Sequence, residues 1–194
     1  MKKSIITLSM ILAAGTAINA PAQTAENKQA ALTSPKYKNP TGKEFPILAW
    51  YSIIGDDNIT KERYQELHDA GFNLSFSKFD HNSQIDKALK ACEGTGVKLI
   101  LTSQELASDT EATVNRYKNS PLVAGYFLRD EPLPEAFPEL RQFRDRVFSA
   151  DTTHLGYLNL LPSIVGTESL GTATYDEYVQ RFINELDLPM VSYD

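Results

Sequence analysis

Two adjacent carboxylates, Asp130 and Glu131, end the apolar run PLVAGYFLRDEP between Pro121 and Pro132. An acid held in a partly desolvated site keeps its proton near neutrality and delivers it to a leaving oxygen; a neighbouring acid or amide orients the substrate. The run before them suits a strand buried on both faces of a parallel sheet. Pro132 then stops the ladder, and a residue before proline is pushed toward extended geometry, so Glu131 is expected to stay strand-like. That places a carboxylate pair at the C-terminal tip of a buried strand, where α/β folds hold their reactive groups. The plainer alternative is that the acids only favour the N-terminal dipole of the helix that follows.

The elements that must position this pair follow a regular beat. Strands are expected at Ile47–Ile54, Phe72–Phe79, Val97–Leu101, the run just described, Thr153–Leu160 and Leu188–Tyr193. The first four begin about 25 residues apart, with helical patterns between them. The helices carry start signals: Asn58 or Thr60, Ser83, the capping-box pattern Ser108-x-x-Glu111, Pro138, and a second box at Thr174-x-x-Glu177. Strict alternation of strand and helix requires a parallel sheet with right-handed crossovers. An open doubly wound sheet and the first part of a (β/α)8 TIM barrel both satisfy it. The turn after the first strand, Ile54–Asn58, lacks a glycine-rich phosphate loop, and polar residues are spread over all the strand tips. The expectation is therefore an incomplete barrel of six strands, its outer strands left as edges that further βα units would close.

In a barrel the tips converge on one mouth. They carry Trp50 and Tyr51, Ser77 and Lys78, Ser103 and Gln104, Asp130 and Glu131, Asn159, and Tyr193 with Asp194. Aromatic rings cover the apolar faces of sugars, while amides and acids bind their hydroxyls; a protonated carboxylic acid can cleave a glycosidic oxygen. Each aromatic has an alternative reading as a core residue of a buried strand.

Other chemistries find less support. His68, His81 and His154 share no ligand spacing, so no metal is expected, nor is any other cofactor. A nucleophile elbow and a P-loop are both missing from the sequence. Lys78 could form a Schiff base, but a surface or ion-pair lysine is far commoner, and Cys92, the single cysteine, reads as a buried filler in a helix. The net charge of −6 and the absence of a basic patch argue against nucleic acid as a partner.

Residues 1–22 read as a secretory signal. Lys2 and Lys3 precede the short apolar stretch Ile5–Ala14, and Ala20-Pro21-Ala22 offers a cleavage site before Gln23. The apolar stretch is short for a membrane span, so a secreted or periplasmic protein free of the membrane after cleavage is expected. Residues 23–44 are polar and read as a poorly ordered leader, with the domain running over 45–194.

The segment GYFLRDEP resembles the fourth strand of the retaining (β/α)8 glycoside hydrolases, a large clan rich in secreted enzymes, in which that strand commonly ends Asn-Glu-Pro. Glu131 and Pro132 match the last two positions, and AWY on the first strand and SYD on the sixth look like sugar-contact tips of such barrels. The resemblance implies an exported, retaining glycoside hydrolase with a carbohydrate substrate and Glu131 as general acid/base. It implies sugar contacts from Trp50, Tyr51, Lys78, Gln104, Asp130, Asn159, Tyr193 and Asp194. There are two departures. Asp130 stands where the clan has Asn, and an ionised Asp accepts a hydrogen bond but cannot donate one. The clan's nucleophile lies on a seventh strand, which the expected six do not include, so this piece is expected to be inactive alone. A carbohydrate-binding barrel without catalysis is the alternative, and a lyase or isomerase on the same scaffold ranks below both.

Overall fold

The computed structural model describes residues 36–193. The stretch read as a signal, the leader up to residue 35, and Asp194 lie outside the described residues. Five parallel strands are present: β1 (Leu48–Ala49), β2 (Leu74–Phe76), β3 (Lys98–Leu101), β4 (Val123–Asp130) and β5 (Leu155–Asn159). They pair in strict chain order, β1-β2-β3-β4-β5. The main helices between and after them are α1 (Lys61–Asp69), α2 (Asn82–Cys92), α3 (Gln104–Ser108), α4 (Thr110–Tyr117), α5 (Phe137–Ala150), α6 (Thr167–Leu170) and α7 (Tyr175–Leu186).

The two faces of the sheet decide between the candidate architectures. Leu99, Leu101, Val123, Tyr126, Leu128 and Leu158 share one core with the helical residues Ile85, Val114, Phe137, Val147 and Phe182. The second core contains Leu74, Phe76, Ile100, Ala124, Leu155 and Tyr157, and none of its members comes from a helix. A doubly wound sheet carries helices on both faces and reverses its strand order. Here the order never reverses and the helices cover one face only. The sheet is a curled part of a (β/α) barrel, its second core facing the barrel interior.

The β4–β5 junction is unusually close. A Cβ on Gly125 would run into the backbone carbonyl oxygen of Leu155, with the Leu155 Cβ at 2.8 Å. Glycine is the residue that lets these two backbones approach. The register of β4 shifts against β3 between Leu99 and Ile100, and against β5 between Phe127 and Arg129. The second shift turns the end of β4 and sets which of its last residues faces inward.

The structure corrects several expectations. The first strand does not run to Ile54: after Ala49 the chain turns, and Tyr51 adopts φ 45°. Pairing resumes only locally, through Ser52 N–H to the Phe76 carbonyl at 3.0 Å and Ile53 N–H to Ser77 Oγ at 3.1 Å. The sixth strand reduces to one parallel bridge between Leu160 and Tyr193, with Leu160 N–H donating to the Ser192 carbonyl at 2.8 Å. Pro189, with no N–H, cannot extend that ladder. The Ser108-x-x-Glu111 box does not form. Ser103 Oγ instead accepts from Leu106 N–H at 3.0 Å and starts α3 one turn earlier, and α4 follows after a break at Asp109. Thr174 does cap α7, accepting from Glu177 N–H at 3.1 Å.

Two further features escape a hydrophobic pattern. Arg144, flanked by the apolar positions of α5, is fully buried. It stacks 4.8 Å over Phe148 and donates to Asp145 Oδ1 at 2.6 Å and to Asp187 at 3.0–3.1 Å, tying α5 to the end of α7. Within the stretch read as a leader, residues 36–44 are tied down. Lys98 Nζ donates to the Pro40 carbonyl at 2.8 Å, and the Asn39 side chain closes a turn onto Thr41 and Glu44.

Candidate functional site at the strand tips

A cleft of about 230 Å³ opens at the C-terminal ends of β2, β3 and β4. Its floor is aromatic. Phe76 and Phe127 face each other from neighbouring inward positions with ring centroids 4.3 Å apart, and Tyr51 closes on Phe76 at 5.3 Å. Lys78, Thr102, Arg129 and Asp130 line its rim. Trp50 joins the platform from the side, 4.6 Å from Phe76, 5.6 Å from Phe127 and 5.9 Å from Tyr157. Trp50 is 37% exposed, so it does not complete the core.

The positive φ of Tyr51 follows from its place. A large aromatic in the left-handed region is a true outlier, costing on the order of 1–3 kcal/mol. The turn at Trp50–Tyr51 takes the chain out of the β1 ladder and lays both rings against the inward side chains of β2 and β4. Glu131 is a second outlier, with φ 42°. This overturns the expectation that it stays extended before Pro132. The turn is held by the Glu131 N–H, which donates to the Asn159 carbonyl at 2.8 Å, and by the Tyr178 hydroxyl, which donates to the Pro132 carbonyl at 2.8 Å. Burial pushes the Tyr178 phenol up to about 12, against a backbone N–H from Leu161, and the charges of Tyr175 and Glu131 add to the rise. Of the three non-glycine residues with positive φ among the described residues, two sit beside the tip cleft.

The structure thus brings together Tyr51, Lys78 and Asp130 in the cleft wall, with Trp50 alongside. Glu131 is exposed and follows the last wall residue without lining the cleft itself. Gln104 is exposed at the start of α3, where its N–H donates to the Asp80 carbonyl at 3.0 Å, and it lies outside the lining. Asn159 is buried, and its Oδ1 accepts from Ser192 Oγ at 2.9 Å, joining β5 to the final segment. Tyr193 is 62% exposed and lines a different cavity, of about 350 Å³, together with Leu74, Leu155, Tyr157 and Met190 on the barrel's inner face. Asp194 lies outside the described residues.

Phe76, Thr102, Phe127 and Arg129 were not singled out from the sequence. The signal for the first and third was present: they alternate with outward-facing neighbours one step below the tips. Burial pushes the Cys92 thiol up, and its side chain fills the core behind α2. Among the described residues no group of three His, Cys, Asp or Glu side chains converges as a metal site would require. No described helix is long and apolar enough to cross a membrane.

No protein-family model matches the chain, and no curated protein sequence is significantly similar to it. Among solved structures it is similar to a glycoside hydrolase family 5 protein from Bacteroides vulgatus, with 13% identity and a TM-score of 0.49. The match covers 66% of this chain and 38% of that protein, so the chain spans well under half of its length.

Proposed function

We propose that the tip cleft binds a carbohydrate and that the chain is part of an exported (β/α)-barrel glycoside hydrolase. The observation that carries this reading is the pair of exposed aromatics Trp50 and Tyr51, set against Phe76 and Phe127 beside the Asp130 carboxylate. Aromatic ring faces with hydrogen-bonding groups at their edge match a sugar ring, which has an apolar face and a polar rim. In this reading Glu131 gives its proton to the glycosidic oxygen as the bond to the anomeric carbon breaks, then takes a proton from the water that completes hydrolysis. Support for Glu131 comes from its backbone. Strain of about 1–3 kcal/mol, maintained by the Asn159 and Pro132 anchors, is the kind of cost that persists where geometry serves a reaction. Asp130 accepts from a sugar hydroxyl. A retaining mechanism needs a second carboxylate across the cleft from Glu131, and the described strands do not include the seventh, where the resembled clan carries it.

One observation favours the second reading, a carbohydrate-binding barrel without catalysis: Glu131 lies outside the cleft wall. Calorimetric titration with a panel of oligosaccharides, paired with product detection at high protein concentration, separates the two. Trp50→Ala is expected to weaken binding about tenfold or more. Glu131→Gln is expected to keep binding and to reduce any turnover by a factor on the order of 10². Unchanged turnover in Glu131→Gln removes that residue from the mechanism, and tight binding without turnover selects the second reading. Export is tested by sequencing the mature N-terminus, expected at Gln23.

A further inference from the structure

We propose that the glycan taken by the tip cleft is anionic, bearing a carboxylate or sulfate group that Arg129 and Lys78 receive. This deepens the carbohydrate reading of the same cleft and rests on it. The other arginines are engaged elsewhere. Arg63 pairs with Glu66, Arg116 with Asp86, Arg141 and Arg144 with Asp145, and Arg181 with Glu185. Arg146 donates to Thr110 and lies over the Phe143 ring. Among the described residues Arg129 is the one arginine with no hydrogen bond, ion pair or ring contact, and Lys78 also has none. Both line the same cleft.

An arginine fork held out over a cleft is suited to a planar or tetrahedral oxyanion, which it can meet with two parallel N–H donors. Lys78, on the strand tip across the cleft from β4, adds a second charge with movable donors. The protein as a whole repels anions, with a net charge of −6, so diffuse attraction of polyanions is weak and a local pair of free cations stands out against it. Asp130 lines the same cleft, and its negative charge keeps the pair from being a generic anion trap. It favours a ligand that offers a hydroxyl to the carboxylate and an anionic group to the cations. A charged sugar carries both on one ring, while its other face covers Tyr51 and Phe127.

The test titrates the full chain with three oligosaccharides of equal length: a galacturonic acid oligomer, a sulfated oligomer and a neutral galactose oligomer. At low salt one anionic ligand is expected to bind about tenfold or more tightly than the neutral one, with the gap narrowing as salt rises. Arg129→Gln and Lys78→Met should each erase most of that gap, while Lys90→Met, an exposed control on α2, should leave it intact. Arg129→Lys, which keeps the charge and loses the fork, should fall between. Circular dichroism verifies that each variant is folded. Whether the carboxylate or the sulfate arm shows the gap identifies the anion. Equal binding of neutral and anionic ligands, or a gap that survives both cleft variants, overturns the proposal and leaves the carbohydrate cleft standing. Binding of none of the three overturns both readings.

Discussion

Replacing Asp151 tests how the sheet is locked at its other end. Asp151 sits just before β5 and is 5% exposed. Its Oδ1 accepts from Thr153 N–H at 2.8 Å, Thr153 Oγ1 at 2.7 Å and His154 N–H at 3.3 Å. Its Oδ2 accepts from the Tyr126 hydroxyl at 2.8 Å and lies 2.6 Å from His154 Nδ1, which donates to it. Burial opposes the charge, but the hydrogen bonds from His154, Thr153 and Tyr126 outweigh it and hold the carboxyl well below its ordinary value. In Asp151→Asn one oxygen can still serve the three donors on the Thr153 side. The amide nitrogen then faces Tyr126 and His154. The imidazole can respond by moving its proton to Nε2, but the Tyr126 O–H loses its acceptor inside the β4–β5 core. A buried donor left unpaired, together with the lost charge-assisted bond, costs about 2–4 kcal/mol.

The sign with pH follows from the direction of the shift. A carboxyl depressed in the folded state contributes its full stability above its unfolded value, about 3.9, and loses that contribution as pH falls below it toward the folded value. Urea unfolding followed by fluorescence at pH 7, 5 and 3 is the assay. The gap between the parent and Asp151→Asn should shrink between pH 5 and pH 3, as the carboxyl protonates in the unfolded chain. A gap below about 0.5 kcal/mol at pH 7, the level of an ordinary surface substitution, would refute the locking argument. A gap that widens between pH 5 and pH 3 would refute the assignment of the charge.

Two further outcomes follow from the packing. Gly125→Ala must push β4 from β5 at a backbone atom that cannot swing away; a loss of about 1–3 kcal/mol or more is expected, read as a lower urea midpoint. A midpoint equal to the parent's would mean that the strands do not approach as described. Thr174→Ala removes the hydroxyl that caps α7 and should cost about 1 kcal/mol, while Thr174→Ser should restore most of it. Both are measured by the same unfolding curves.

Much of the fold was legible because it rests on period. Buried strands read as short apolar runs, helices as faces bounded by caps, and their alternation forces parallel pairing. What period cannot show is where a ladder gives way. Ile47–Ile54 is apolar enough for a full strand, yet it turns at Trp50–Tyr51, where both rings lie against Phe76 and Trp50 also against Phe127. Leu188–Tyr193 likewise reads as a strand by composition, but Pro189 and the exposure of Val191 and Tyr193 leave it one bridge. Arg144 occupies a core position that no hydrophobic pattern would grant a charge, and its partner Asp187 is distant in sequence.

The site was legible to the level of the strand tip and no finer. Which of two adjacent acids faces the cleft depends on a single register shift, and a shift of one residue exchanges the two faces of a strand. The irregularity between Phe127 and Arg129 sets Asp130 opposite Asn159 and into the wall, and it leaves Glu131 to turn away at φ 42°. The DEP motif identifies the tip but not this geometry, which involves hydrogen-bond partners on Asn159 and Tyr178, both remote in sequence. Arg129 stands at the rim, while the other arginines among the described residues are paired or stacked elsewhere. The chemistry of the cleft is therefore set as much by which charges the rest of the fold has neutralised as by the motif that first drew attention to it.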